Sequence, residues 1–261
     1  MAYETILFDI SDGVATITLN RPDKMNSFNE KMHEELRAVM PQLQSDAVRA
    51  VLITGSGRAF GAGADLSEND PSDPAGFDAG ATLENNYNPL ISFLRTLEKP
   101  VISAVNGAAA GASVSLALAA DICFAAKSAY FLQAFCHIGL IPDAGSTYFL
   151  PRLVGSGKAM GLAMLGDKIP AEEAAQMGLI WKAVDDDQLM NEATGIAKRL
   201  AKGPTKGLAM IKQAMNASLG NSLAQQLDVE RDLQREAAQT ADFMEGVQAF
   251  TEKRKPNFTG K

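Results

Sequence analysis

The stretch from Pro100 to Ala126, PVISAVNGAAAGASVSLALAADICFAA, constrains the fold more than any other part of the chain. Val101, Ile102 and Val105 make a β-branched run that reads as a buried strand. Gly107 punctuates it, and from Gly111 small and apolar residues continue through Ala120. Small side chains let the backbone of a turn, and then of a helix N-terminus, approach another group closely. Two uses fit this pattern. One is tight packing of a buried helix in an α/β core. The other is an anion-stabilising site, in which unpaired N–H groups and the positive dipole end face a ligand.

From its start the chain opens as a hairpin. Ile6, Phe8 and Ile10 alternate, Ser11-Asp12-Gly13 turns, and Val14, Thr16 and Thr18 continue. Ser27 or Asn29 can cap a helix with Met32, Leu36, Val39 and Leu43 at helical spacing, which Pro41 should kink or shorten. Residues 49–54 read as a strand, followed by the glycine-rich loop GSGRAFGAGADL. The Pro- and Asp-containing residues 67–80 read as a mobile surface loop. A helix over about 83–97 leads to Pro100, and short strands follow near 121–125 and 129–133. The last third is mostly helical, with stops at Gly166, Gly203-Pro204 and Gly220. Strands alternating with helices, then helices alone, predict an α/β core with a helical C-terminal layer. No strong internal sequence repeat is visible.

The 261 residues suffice for one large domain or two small ones, and the net charge of -7 argues against a nucleic-acid or anionic-membrane surface. MAYETILFDI has no basic region before an apolar run, and no apolar run approaches a membrane span. Cys123 and Cys136, in apolar surroundings, read as free buried thiols of a reducing compartment, so a cytoplasmic location is expected. His33 and His137 are the only histidines; with no HExxH and no CxxC, no metal is expected, and His137 reads as a packed or surface imidazole. Nucleophile-elbow, P-loop and dinucleotide-binding spacings are absent as well. What remains is a pair of Gly/Ala-rich turns, at Phe60 to Asp65 and at Gly107 to Ala112. Two backbone N–H donors converging on one oxygen would form an oxyanion hole for a thioester enolate.

Around those turns the chain resembles the enoyl-CoA hydratase/isomerase (crotonase) family. The segments RPDKMNSF, AFGAGADL, KPVISAVNGAAAGA, LALAADICFA, GLIPDAGSTYFLPRLVG and EGVQAFTEKRKPNF occur together and in order. The resemblance covers essentially the whole chain. It implies an α/β fold: a spiral core of repeated ββα units over residues 1–200, holding an acyl-CoA site, and a helical C-terminal trimerisation region over 201–261. It also implies an acyl-CoA thioester substrate, no cofactor beyond the coenzyme A that enters with that substrate, and a homotrimer or dimer of trimers. The family's oxyanion donors map onto the amides of Ala64 and Ala112. Its coenzyme A contacts map onto Lys24, Asn26, Ala62, Asp65 and Leu66, with Phe250 and Lys253 approaching the adenine end from a neighbouring subunit. Gly111 and Phe135 are assigned to the substrate pocket. Lys24 and Lys253 fit equally the common fate of a lone lysine, a solvated surface charge.

Side chains around the oxyanion hole decide the reaction. Family hydratases resemble one another in carrying two glutamates that hold the attacking water; the matching positions here are Ser115 and Phe135, and neither side chain can do a carboxylate's acid–base work. One carboxylate stands nearby, Asp143 in Ile141-Pro142-Asp143-Ala144-Gly145. Capping preference makes it a helix N-cap. The combination AFCHIGLIPDAG, however, resembles the isomerase branch of the family, the 1,2-epoxyphenylacetyl-CoA and Δ3,Δ2-enoyl-CoA isomerases. That resemblance implies Asp143 as the base that moves a proton between carbons of the acyl group. Phe131, Phe135, Ile138 and Leu140 would then supply an apolar surround that raises its pKa. An isomerase is the implied function; a hydratase and a non-catalytic acyl-CoA-binding protein are the alternatives.

Overall fold

The computed structural model describes residues 3–68 and 78–261. Most of the loop expected at 67–80 therefore lies outside the described residues. Its edges do not: a 3-10 turn covers Leu66–Glu68 and a helix begins at Ala79.

The opening hairpin pairs β1 (Ile6–Ser11) with β2 (Val14–Leu19), in register from Ile6 with Leu19 to Ser11 with Val14. Asp12 and Gly13 have φ of 52° and 77°, the mirror-image turn that matches strand twist. Asn29 caps the first helix, Glu30–Leu43, accepting from Met32 N–H at 3.0 Å. Pro41 falls in its last turn, where the helix stops two residues later.

The core then repeats one step three times. A longer strand enters a six-stranded sheet, a shorter strand enters a four-stranded sheet, and a helix returns the chain. The longer strands are β3 (Ala50–Gly55), β5 (Val101–Val105) and β7 (Ile122–Ala126); the shorter ones, by position, are β4 (Ala59–Gly61), β6 (Ala108–Ala110) and β8 (Tyr130–Leu132). Two later strands, β9 (Lys168–Pro170) and β10 (Lys182–Val184), complete the sheets, in orders β1-β2-β3-β5-β7-β10 and β4-β6-β8-β9. Both sheets are parallel except at β1–β2 and β8–β9. Every residue of β3 and β5 is buried, as a parallel sheet covered on both faces requires. These are the expected ββα units. They carry no sequence repeat because burial and element length, not residue identity, define each step.

Helix Leu189–Ala201 lays Ala193, Ala197 and Ala201 against this core. Three further helices, Thr205–Ser218, Leu223–Ala237 and Ala241–Thr251, bury few of their own side chains. Lys212 fastens the first of them, its ammonium reaching Leu94 O at 2.7 Å and Asp121 Oδ2 at 3.0 Å. Two expectations change here. Phe131 is wholly buried in the core, since it sits mid-strand in β8, and Cys136 is only partly buried, in the exposed segment after β8. Cys123 is buried, and desolvation pushes its thiol up to about 12. No helix among the described residues is long and apolar enough to cross a membrane.

Candidate active site

β4 and β6 are neighbours in the small sheet, so the turns that follow them leave the same edge side by side. Gly63 has φ +83°; a Cβ there would stand 3.1 Å from Ala110 O and 3.5 Å from Ala112 N. Gly111 has φ +53°, and its Cβ would stand 3.7 Å from Gly63 Cα. The positive φ favours glycine at both positions, and at Gly63 the close approach to Ala110 O favours it as well. Ala64 is thereby brought beside Ala112, the first residue of the wholly buried helix Ala112–Ala119. Phe28 N–H donates to Gly63 O and Asp65 N–H to Phe28 O, both at 2.8 Å, which turns the intervening Ala64 N–H away from that bridge. Neither the Ala64 nor the Ala112 amide donates to an acceptor among the described residues. Ser113 Oγ accepts Gly63 N–H at 3.0 Å and ties the loop to the helix. Two unpaired donors, one backed by a helix dipole, suit an oxygen that gains negative charge.

The segment RPDKMNSF is the scaffold of this arrangement. Asn26, with φ 55° and no exposed surface, donates from Nδ2 to Ser56 O at 2.9 Å and to Ala59 O at 2.7 Å, while its Oδ1 accepts Arg21 N–H at 2.8 Å. Arg21 reaches Ser27 O at 2.7 Å and Asp65 Oδ2 at 2.9 Å. Asp65 also accepts the Ser67 hydroxyl at 2.6 Å; that bond, with help from Arg21, holds its carboxyl down at about 2. Asn26 and Asp65, two of the residues expected at the coenzyme A contacts, bond through their side chains to internal partners. They lock the loop that carries Ala64.

Asp143 lies at the start of a tight turn in which Ala144 and Gly145 have φ of 47° and 91°. The next helix, Ser146–Val154, has Gly145 at its N-cap and no side-chain cap bond, so Asp143 is not a cap. Its backbone carbonyl accepts Ser146 N–H at 2.8 Å and the Ser115 hydroxyl at 2.9 Å. Ser115 in turn shares a 2.7 Å hydrogen bond with Ser146 Oγ, which Gln133 Nε2 joins at 3.1 Å. The carboxyl is left alone: Oδ1 is buried without a partner. Desolvation raises its pKa to about 6, opposed only by its own backbone N–H.

Ala62, Ala64, Leu66, Gly111, Ala112, Phe135 and Asp143 all line one cavity of about 230 Å³. Its walls also include Ile138 and Leu140, as expected, and Leu83 and Tyr87, which sequence reasoning missed. The last two belong to a π turn, Leu83–Tyr87, where one extra residue per turn shifts the inward face and hides it from helical periodicity. His137 is an exposed imidazole, as expected, and it also lines the cavity. Among the described residues Asp143 is the single carboxylate in the lining. Lys24, Phe250 and Lys253 are exposed and outside it, with Phe250 86% exposed on the C-terminal helix. No three His, Cys, Asp or Glu side chains among the described residues cluster as a metal would need.

Residues 9–261 match the sequence profile of the family described as Enoyl-CoA hydratase/isomerase. The chain is 51% identical to the 1,2-epoxyphenylacetyl-CoA isomerase of Escherichia coli K12 over 99% of both chains. It is 50% identical, over the whole of both, to a probable enoyl-CoA hydratase of Rhodobacter capsulatus. The solved structure of an enoyl-CoA hydratase from Bacillus anthracis, 33% identical, covers 99% of this chain and 100% of its own with a TM-score of 0.92. Profile, full-length identity and superposition agree, and the chain belongs to the enoyl-CoA hydratase/isomerase family.

Proposed function

We propose that the protein is an acyl-CoA isomerase that moves one proton within an unsaturated or epoxidised acyl thioester, with Asp143 as the base. The observation that carries this assignment is the lone, unpaired Asp143 carboxyl in the same cavity as the free amides of Ala64 and Ala112. The thioester oxygen accepts those two N–H groups, and ionised Asp143 removes a proton from the α-carbon. The electron pair moves onto the oxygen as an enolate, which each donor stabilises by typically about 3 kcal/mol. With an unsaturated thioester, the carboxylic acid so formed returns the proton to another carbon, and the double bond shifts. One carboxylate serves both transfers, so no second acid is needed.

Hydration has less support. It calls for paired carboxylates around a water, and here Ser115 is engaged with the Asp143 carbonyl and Ser146 while Phe135 cannot titrate. The E. coli relative's name favours an aromatic epoxide as the acyl group. Ala62 and Leu66 would meet the pantetheine arm, with Lys24 on the nearby surface. Phe250 and Lys253 would complete a neighbour's coenzyme A site in a homotrimer or a dimer of trimers, assembled through the C-terminal helices. Purified protein given 3-enoyl-CoA, crotonyl-CoA with water, and the 1,2-epoxide of phenylacetyl-CoA should isomerise the first or third and hydrate the second negligibly. Efficient hydration with no isomerisation would refute the assignment.

A further inference from the structure

Tyr87 brings into the cavity a donor that the proton transfer does not use. Its ring is held by edge contacts with Phe28, centroids 5.5 Å apart, and with His33, 4.5 Å apart. Burial pushes His33 down to about 4, so that neighbour is neutral. The preceding residue, Asn86, is bonded to Arg37 and, at 2.9 Å, to Glu30 Oε2. Tyr87 is 4% exposed, and its hydroxyl has no hydrogen-bond partner among the described residues. With the ring held in this way, its hydroxyl and the equally unpartnered Asp143 Oδ1 both face the one cavity as groups a ligand can pair. A buried donor left so is uncommon in folded proteins and fits a ligand's acceptor. The hydroxyl is near enough to Asp143 for the carboxylate to reinforce the rise in pKa that burial causes, so it stays protonated.

We infer that Tyr87 is the specificity-determining donor of the site: its O–H binds an oxygen carried by the acyl group itself, an epoxide, ether or hydroxyl oxygen, and selects such acyl groups over their hydrocarbon counterparts. The inference rests on the acyl-CoA reading above and narrows its substrate class. The thioester oxygen already has two amide donors, so a further donor is surplus for a plain hydrocarbon chain. Such a chain would cover the hydroxyl and leave it unpaired, whereas an acyl oxygen would pair with it. Sites built around a buried hydrogen-bonding group reject the analogue that lacks its partner.

Calorimetric titration with 2-methoxyphenylacetyl-CoA and phenylacetyl-CoA, neither of which can isomerise, tests this without turnover. The unaltered protein should prefer the thioester that carries the ether oxygen by about tenfold or more, and Tyr87→Phe should abolish that preference. Tyr87→Phe without ligand should melt no lower than the unaltered protein, because the hydroxyl it removes bonds to nothing in the fold. No preference in the unaltered protein, the same preference in Tyr87→Phe, or a lowered melting temperature would each overturn the inference while leaving the isomerase assignment intact. Failure of the unaltered protein to bind either thioester would remove the acyl-CoA reading and this inference together.

Discussion

Asp143 destabilises the fold it serves. A carboxyl whose pKa rises from 3.8 in the unfolded chain to about 6 in the folded one binds protons more tightly when folded. Its contribution to stability therefore falls as pH rises through the window from about 4 to 6, and the full penalty persists above it. Asp143→Asn should melt higher than the unaltered protein at pH 7.5, and the gap should close near pH 4. A thermal scan at both values checks this; a lower melting temperature at pH 7.5 would show instead that the charged carboxylate stabilises the fold. With Asp143 as base, kcat/KM should also fall below about pH 6. The residues of IPDAGS alone left cap and base equivalent, because they satisfy capping preference whatever the backbone does, and only the family resemblance favoured the base. What separates them is the left-handed pair Ala144-Gly145, which puts Gly145 at the N-cap. Tyr87 was not legible at all, since its orientation depends on the π turn.

At the scale of elements, the paired glycine turns could be anticipated because Gly63 and Gly111 punctuate strands at matching points of successive ββα steps. The role of RPDKMNSF could not, since side chains that bond to backbone carbonyls leave no trace in residue type. Asn26→Ala removes the bonds to Ser56 O and Ala59 O and the acceptor of Arg21 N–H, leaving only Asn106 Nδ2, at 3.3 Å, on Ala59 O, at a cost of about 1–3 kcal/mol. It should lower the melting temperature by several degrees and lower turnover through a displaced Ala64. If instead it weakens coenzyme A affinity with stability unchanged, the side chain contacts the ligand directly.

The whole molecule exposes more apolar surface than a lone subunit needs. Leu223, Ile211, Leu227 and Phe250 are all more than half exposed, and a groove of about 700 Å³ runs between helices Thr205–Ser218 and Leu223–Ala237. Surface of this kind is legible as helical stripes, but which face of a neighbour covers it depends on a second copy. Light scattering at micromolar concentration should return a trimer or a multiple of three; a stable monomer would remove the assembly and the shared coenzyme A site. The proposed chemistry in each subunit, however assembled, rests on one carboxylate. The most direct test is turnover by Asp143→Asn, which keeps the side chain's size but cannot accept a proton at neutral pH. With folding and acyl-CoA binding retained, isomerisation should fall by at least ~10²-fold. Near-normal isomerisation by that folded variant would contradict the assignment of Asp143 as the proton carrier.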